Sequence, residues 1–349
     1  MTARIPVAIL GATGTVGQKF VRLLADHPWF EIAAVAASSN SAGKRYGDAV
    51  RWREPVPLPD RIADLVVQPC TPPLVGTIVF SAIDAEIARE VEQSFAKAGA
   101  LVVTNTKSHR MDPDVPLMIP EINASHLALL DTQRATRGWT GAILANPNCS
   151  TAGLVLALAP LHQAFGLEKL FVATMQATSG AGYPGVASLD ILGNVIPYIA
   201  GEEEKIEIET RKILGTVHGG GLALAPITVA AHASRVPTVD GHLEVVSAGF
   251  RSRPTPFQAI AAFEAFRGDA VVQSLPSSPA VPIEVETRLD RPQTRLDLDR
   301  GNGMAVTVGR VRPCPLLDLR FALLSHNTVR GAAGASVQIA ELLKATGYA

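Results

Sequence analysis

The chain has 349 residues, enough for about two domains, and its 31 Lys and Arg against 32 Asp and Glu give a formal net charge of −1, so the charge does not favour nucleic-acid binding. Hydrophobic residues make up 47% of the chain and charged residues 18%, and no apolar run approaches the ~20 residues of a membrane helix, which argues against disordered and membrane-spanning proteins. The three cysteines fit neither a disulfide framework nor a zinc motif, so we expect a cytoplasmic enzyme or small-molecule binding protein without a bound metal.

The first part of the chain alternates short apolar runs with helical patterns. These patterns predict strands over residues 5–10, 31–37, 77–82 and 101–105, and helices over residues 18–26 and 85–98. Strands that alternate with helices indicate βαβ units, so we predict an α/β fold with a parallel sheet.

After about residue 150 the pattern changes. Helices are predicted over 149–165, 206–214, 256–266 and 331–345. Strands of a more mixed sheet are predicted over 170–178, 229–235, 243–250 and 319–324. Apart from its one helix, the segment 251–300 is expected to form loops, and the last helix is expected to pack back on the first domain.

A glycine-rich turn, GATGTVG at 11–17, lies between the first strand and the first helix. Gly11 permits the tight turn, Gly14 lets backbone N–H groups approach a pyrophosphate, and Gly17 lets the helix pack closely on the strand. The motif therefore predicts a dinucleotide site. The alternative is a tight turn between a strand and a helix that binds no ligand.

The end of the second strand distinguishes between the two nicotinamide cofactors. NAD sites usually place Asp or Glu there to bind the ribose hydroxyls, whereas this chain has Ser38, Ser39, Asn40 and Ser41, with Lys44 and Arg45 nearby. Hydroxyls and cations suit a 2′-phosphate that a carboxylate would repel, so NADP is favoured. The alternative is a solvated polar loop.

Cys149 is the candidate nucleophile because it lies where a helix is predicted to begin, after Asn146-Pro-Asn148. A helix N-terminus lowers the pKa of a thiol, and a buried structural cysteine is the alternative. A partner base is needed, and His242 and Arg235 lie in one predicted loop between strands. His232 is less suitable, because it lies within a predicted strand.

Five motifs in this order resemble the aspartate-semialdehyde dehydrogenase family, in its archaeal and fungal-type branch. They are GATGTVG at 11–17, NPNCST at 146–151, QATSGAGY at 176–183, RVPTVDGH at 235–242 and HNTVRGAAG at 326–334. The resemblance runs from about residue 5 to residue 345.

The resemblance implies a Rossmann-like, parallel-sheet NADP-binding domain at residues 1–148, completed by a C-terminal helix at 330–349. Residues 149–329 would form an α+β catalytic and dimerisation domain, within a homodimer or homotetramer. The implied reaction is the reversible, NADPH-dependent conversion of 4-aspartyl phosphate to L-aspartate 4-semialdehyde and phosphate, in the biosynthesis of lysine, methionine and threonine.

The family's roles carry over residue by residue. Cys149 would form a thioester, His242 would act as acid and base, and Gln176 would orient the acyl intermediate. The remaining assignments follow from the same resemblance. For the substrate they are Arg235 on the carboxylate, Glu202 on the ammonium, and Arg110, Lys205, Asn148 and Ser108 on the phosphate, with Ser108 the least supported by its surrounding sequence. For the cofactor they are Gly11, Thr13, Gly14, Thr15, Val16, Ser38, Ser39, Ser41 and Asn327.

Two other functions remain open at this stage. A malonyl-CoA reductase would share the fold and the thiol chemistry but would reduce a CoA thioester, without an amino group to hold or phosphate to release. A non-catalytic NADP-binding protein would be expected to lack Cys149, His242 or Arg235, and all three are present.

Overall fold

A six-stranded parallel sheet forms from the first part of the chain, in the order β3-β2-β1-β4-β5-β6. The computed structural model describes residues 3–349. The strands are β1 (Ile5–Leu10), β2 (Phe30–Ala37), β3 (Gln68–Pro69), β4 (Ile78–Ser81), β5 (Leu101–Thr104) and β6 (Ala142–Ala145). The predicted parallel sheet is confirmed, and it has two further edge strands, β3 and β6, that the sequence patterns did not predict.

Helices connect these strands. They are α1 (Thr15–Leu24), α2 (Tyr46–Ala49), α3 (Asp60–Ala63), α4 (Ala85–Lys97), α5 (Pro120–Asn123) and α6 (Leu129–Arg137). The glycine-rich turn joins β1 to α1 directly. A Cβ at Gly11 would lie 2.4 Å from the carbonyl oxygen of Ala82, and one at Gly17 would lie 2.1 Å from that of Gly11. Both positions therefore require glycine for close backbone packing.

A second, mixed sheet has the order β10-β7-β11-β14-β13-β12. Its strands, and those of a separate hairpin, are β7 (Leu167–Gln176), β8 (Thr216–His218), β9 (Gly221–Ala223), β10 (Thr228–Arg235), β11 (His242–Phe250), β12 (Ile283–Glu286), β13 (Val306–Pro313) and β14 (Leu319–Ser325). The helices of this part are α7 (Cys149–Phe165), α8 (Ser188–Ile191), α9 (Glu202–Ile213), α10 (Pro256–Ala265), α11 (Ala270–Gln273), α12 (Thr294–Asp297) and α13 (Gly334–Ala345).

Two expectations for this part were wrong. The segment 251–300 contains β12 and two short helices besides α10, because a four-residue strand leaves no visible alternation among Pro, Arg and Asp residues. Helix α9 begins four residues earlier than the predicted 206, since its first turn consists of three glutamates. Acidic side chains are favourable at a helix N-terminus, but they interrupt the apolar pattern.

Helix α7 carries the chain from the parallel sheet to the mixed sheet. It begins directly after residues 146–148, which follow β6, and its side chains from Ser150 to Leu161 are buried. It packs against β7, β11, β13 and β14 of the mixed sheet. A helix that is apolar on all sides belongs in a core. Because α7 starts just after β6 and packs on the mixed sheet, its first residue lies between the two sheets.

The C-terminal helix α13 packs back on the parallel sheet, as expected, and contacts α1 and β5. The irregular turn Val329–Ala333 precedes it and contacts the start of the chain's longest helix, α7. The domain boundary between residues 148 and 149 stays a prediction. Within residues 3–349, no helix is both long and apolar enough to cross a membrane.

A buried ion pair joins α13 and its preceding turn to α5. Both terminal nitrogens of the Arg330 guanidinium contact the Glu121 carboxylate, at 2.7 and 3.1 Å, and the two side chains are at most 1% exposed. We predict that Arg330→Ala lowers the free energy of unfolding by about 3–5 kcal/mol, because it leaves a buried carboxylate without its partner.

Urea-induced unfolding measures this change. The matched control is Arg253→Ala, which removes an ion pair with Asp318 whose arginine is 72% exposed, and which is expected to cost less than about 1 kcal/mol. Equal losses in the two variants would contradict the structural role of Arg330.

Candidate active site

Cys149 is the first residue of α7, and the start of this helix is held from several sides. The side chain of Asn148 accepts hydrogen bonds from the backbone N–H groups of Ser150 and Thr151, at 3.0 and 3.2 Å. A Cβ at Gly331 would lie 2.8 Å from the Cβ of Cys149, so only glycine lets the turn before α13 pack on the cysteine. The position of the sulfur is therefore determined by both parts of the chain.

His242, the first residue of β11, lies beside the sulfur, with Nε2 3.2 Å from Sγ of Cys149. The backbone N–H of Ala177 donates to Nδ1 of the ring at 3.1 Å. Because Nδ1 accepts, the proton of the neutral imidazole lies on Nε2 and faces the sulfur. The structure thus brings together the predicted nucleophile and its predicted partner, and rejects His232, which is exposed in the middle of β10.

The pKa of the Cys149 thiol is raised, not lowered as its position at a helix N-terminus predicts. Burial, followed by the charge of Glu202, raises the pKa of Cys149 to about 12, although Arg110 and Arg235 oppose the change. Burial and the charge of Arg235 lower the pKa of His242 to about 3. Desolvation disfavours both charged forms and, for the thiol, outweighs the two arginines, so the resting pair is a neutral thiol beside a neutral imidazole.

Gln176 and Arg235 are the last residues of β7 and β10, and they are paired in register in the mixed sheet. One guanidinium nitrogen of Arg235 donates to the carbonyl oxygen of Ala177 at 2.7 Å. A Cβ at Gly180 would lie 2.8 Å from that nitrogen and 3.1 Å from Cε1 of His242. The glycine-containing loop after β7 therefore leaves room at the point where Arg235 and His242 meet.

Helix α9 brings Glu202 and Lys205 to the same place. Glu202 accepts hydrogen bonds from the side-chain amides of Asn148 and Gln176, at 2.7 and 3.1 Å, and from Lys205 at 3.0 Å. Burial alone would raise the pKa of Glu202, but Lys205 and these hydrogen bonds outweigh it and lower the pKa. Glu203 instead accepts the N–H of Ala233, so Glu202 is the glutamate that faces the site.

Arg110 lies at the opposite side of Asn148. One of its terminal nitrogens contacts Glu209 at 3.0 Å and the other donates to the carbonyl oxygen of Asn105 at 2.9 Å. The hydroxyl of Ser108 donates to the carbonyl oxygen of Ala85 and does not join this group.

The glycine-rich turn has the features of a dinucleotide cradle. Helix α1 begins at Thr15 with Gly14 as its N-cap, a residue that has no side chain to cap the first N–H groups of the helix. The hydroxyl of the buried Tyr46 donates to the carbonyl oxygen of Ala12 at 2.8 Å, which holds the turn in place. Free N–H groups at a helix N-terminus suit a pyrophosphate, and so Thr13 and Val16 lie where the sequence predicts cofactor contacts.

Residues Ser38, Ser39 and Ser41 follow directly after β2, close to the glycine-rich turn in the parallel sheet. Arg45 is held by Asp64, whose carboxylate lies 2.8 Å from its Nε, whereas Lys44 is exposed. Asn327 uses both ends of its amide within the protein, donating to the hydroxyl of Ser179 and accepting the N–H of Gly241, each at 2.8 Å.

Three buried charged residues near the site were not singled out from the sequence. Glu209 and Lys212 continue the face of α9 that carries Glu202 and Lys205. Their spacing of three or four residues places them on one face of a helix, but local sequence cannot show whether that charged face is buried or solvated. Glu244, two residues after His242, has no sequence signal, because its neighbours along β11 are those of an ordinary strand.

The sequence matches two family models. Residues 6–130 match "Semialdehyde dehydrogenase, NAD binding domain", and residues 158–330 match "Semialdehyde dehydrogenase, dimerisation domain". Two curated relatives are aspartate-semialdehyde dehydrogenases. The protein of Archaeoglobus fulgidus is 50% identical, over 97% of this chain and 98% of its own length, and that of Cryptococcus neoformans is 47% identical, over 97% and 96%.

Solved structures agree with these matches. Aspartate semialdehyde dehydrogenase of Candida albicans, crystallised with NADP, superposes with a TM-score of 0.92 at 43% identity, over 99% of this chain and all of that one. Aspartate semialdehyde dehydrogenase II of Vibrio cholerae, complexed with ASA, gives a TM-score of 0.77 at 28% identity, over 98% and 99%.

The buried Glu244 permits a test of how burial changes the pKa of a carboxyl group near the site. It is fully buried, and neither carboxylate oxygen has a hydrogen-bond partner within residues 3–349. Burial and the nearby charge of Glu202 raise the pKa of Glu244 well above its usual value. The native protein therefore retains a proton that the unfolded chain releases above pH ~4.3, and its stability falls as the pH rises from there.

We predict that Glu244→Gln, which cannot ionise, increases the free energy of unfolding relative to the unsubstituted protein, and that this gain grows between pH 5 and pH 8. Urea-induced unfolding at several pH values measures the difference, with the exposed Glu86→Gln as a control that is expected to change little. A gain that is independent of pH, or a loss that grows with pH, would show that Glu244 is ionised in the native protein.

Proposed function

The chain belongs to the aspartate-semialdehyde dehydrogenase family and has that family's activity in the aspartate pathway, and we propose that it acts through a thioester on Cys149 with NADP as its cofactor. The observation that carries the proposal is the 3.2 Å contact between Sγ of Cys149 and Nε2 of His242, at the junction of the two sheets. The remaining roles follow from what surrounds this contact.

In the reductive direction, the Cys149 thiolate attacks the acyl carbonyl of 4-aspartyl phosphate. The carbon–sulfur bond forms, and phosphate leaves with the electron pair of the broken carbon–oxygen bond. Arg110 and Arg235 place positive charge near the sulfur, which favours the thiolate as the attack begins. The thiol proton is taken up by an oxygen of the departing phosphate, which leaves as hydrogen phosphate.

NADPH supplies, when bound, the hydride that reduces the thioester. His242 holds a proton on Nε2, the atom that faces the sulfur, and this N–H can donate a hydrogen bond to the oxygen that gains negative charge during the reduction. That oxygen forms the aldehyde carbonyl as the carbon–sulfur bond breaks and sulfur leaves as a thiolate, with the proton still on the ring. Gln176, at the end of β7, presents an uncharged side-chain amide. This amide orients the acyl group without changing the charge of the site.

The carboxylate and the ammonium on the α-carbon of the substrate need opposite charges from the protein. Arg235 presents a guanidinium that can bind the substrate carboxylate in a bidentate manner. Glu202, whose lowered pKa keeps it ionised, presents a carboxylate to the substrate ammonium. The relative from Vibrio cholerae was crystallised with ASA, which supports a site of this kind in the shared fold.

We assign the phosphate to Arg110, Lys205 and Asn148. Arg110 contacts the buried carboxylate of Glu209, Lys205 contacts that of Glu202, and Asn148 contacts both, through its backbone N–H and its side-chain amide. Ser108 is omitted, because its hydroxyl is directed to Ala85.

We assign the cofactor phosphates to the turn at Gly11, Thr13, Gly14, Thr15 and Val16. The 2′-phosphate would lie at Ser38, Ser39 and Ser41, with the exposed Lys44 as the available cation. The relative from Candida albicans was crystallised with NADP, which supports this choice. Asn327 holds the loops of Ser179 and Gly241 together at the site and so would act on the cofactor by fixing its surroundings.

We further propose a homodimer or homotetramer that associates through the mixed sheet. Phe171 and Val245 lie on the face of this sheet opposite α7 and are 40% and 42% exposed. The match of residues 158–330 to a dimerisation domain supports this interface. Burial of these side chains by a second copy would remove apolar surface from water.

We predict that Cys149→Ala lowers kcat by roughly a thousandfold or more, because no other group can form the thioester. NADPH formation from aspartate semialdehyde, phosphate and NADP⁺ measures turnover, and NADP⁺ binding should persist since the cradle lies on another element. The matched control is Cys314→Ala, a buried cysteine remote from α7 in sequence, which should retain turnover.

Full turnover by Cys149→Ala would refute the covalent mechanism. Reduction of malonyl-CoA by the unsubstituted protein, without phosphate-dependent oxidation of the semialdehyde, would instead favour the malonyl-CoA reductase alternative.

We predict a preference for NADP⁺ over NAD⁺ that Ser39→Asp reduces. A carboxylate at this turn repels the 2′-phosphate and can bind the ribose hydroxyls of NAD⁺, so kcat/KM for NADP⁺ should fall by about tenfold or more while that for NAD⁺ is maintained. The control is the same change at Ser252, an exposed serine after β11. Equal kcat/KM values for both cofactors in the unsubstituted protein would contradict the assignment.

A further inference from the structure

We propose that Glu209 is a positioning residue that links the phosphate-binding Arg110 to the backbone immediately before Cys149. The inference rests on the proposed role of Arg110 and extends it, because it assigns a function to a carboxylate that itself touches no reacting atom. Its consequence is that the phosphate pocket and the nucleophile are held at one fixed spacing by a single side chain.

The geometry supports this bridge on both sides. One carboxylate oxygen of Glu209 lies 3.0 Å from a terminal nitrogen of Arg110, and the other accepts the backbone N–H of Asn148 at 2.6 Å. The Glu209 side chain is 2% exposed. Water therefore cannot replace either contact without opening the site, and a buried charge of this kind depends on its partners.

A carboxylate is needed at this position, because both of its oxygens must accept. An amide would have one acceptor and one donor, so its N–H₂ group would face either the guanidinium of Arg110 or the N–H of Asn148. The negative charge also suits the start of α7, where the helix dipole is positive. Arg110 offsets this charge, so that it does not oppose the thiolate of Cys149.

The next turn of α9 completes the support of Arg110. The ammonium group of Lys212 donates to the carbonyl oxygens of Arg110, Asp112 and Val115, at 2.6, 2.7 and 2.8 Å. Glu209 thus holds the side chain of Arg110, while Lys212 holds its backbone. Both terminal nitrogens of Arg110 are bound within the protein. Its Nε–H has no hydrogen-bond partner within residues 3–349, so one donor of the guanidinium remains available.

Glu209→Gln tests the inference. The matched control is Glu207→Gln, the same change on the same helix, at a half-buried carboxylate that accepts one N–H, from Ala231. Steady-state kinetics in the oxidative direction give KM values for phosphate and for aspartate semialdehyde, and titration of the reactive thiol gives the fraction of correctly folded sites.

We expect KM for phosphate to rise roughly 10- to 100-fold in Glu209→Gln, the range for loss of a hydrogen bond to a charged group, while KM for the semialdehyde changes less than about twofold. A merely structural role would reduce the fraction of active sites and leave KM for phosphate unchanged. A KM for phosphate equal to that of Glu207→Gln would overturn the inference.

Arg110→Lys separates this inference from the proposed function. If Arg110→Lys raises KM for phosphate and Glu209→Gln does not, only the bridge is wrong. If neither variant raises it, the assignment of Arg110 to the phosphate is wrong as well. Should Glu209→Gln fail to fold, Glu209→Asp keeps the charge but is too short to reach both partners, and an unchanged KM for phosphate in that variant would overturn the bridge.

Discussion

The first turn of α7 is the constraint on which the site depends, because it carries the nucleophile and is held from both parts of the chain. Asn148 caps the helix with its side chain, and its own N–H is bound by Glu209 from α9. Gly331 packs against Cys149 from the C-terminal turn. A shift of this turn would change the distance between sulfur and His242, and the side chains of α9 would move away from the substrate.

Burial decides the electrostatics of this turn. A helix N-terminus favours an anion, but burial raises the pKa of the Cys149 thiol and lowers that of the His242 ring. The neutral resting pair follows from that balance. Charges are present at the border of the site, on Glu202, Lys205 and Arg235, which we propose bind the charged groups of a small substrate.

Local patterns predicted much of the fold, since βαβ alternation and the glycine-rich turn depend on neighbours in sequence. They missed β12, a short strand with two glutamates in a segment rich in Pro, Arg and Asp, and the first turn of α9, whose glutamates interrupt the apolar spacing. The lowered pKa of Cys149 was predicted from helix position alone. Its failure, like the absence of any signal for Glu244, reflects contacts between residues distant in sequence.

The thioester on Cys149 is the central claim, and mass spectrometry of the acylated protein tests it most directly. The protein is mixed with 4-aspartyl phosphate in the absence of NADPH, so that the acyl group cannot be reduced, and is then quenched in acid and digested. The account predicts one aspartyl group on the peptide that contains Cys149, and its loss when NADPH is added before the quench. An unmodified Cys149 beside released phosphate, or an acyl group on another residue, would contradict it.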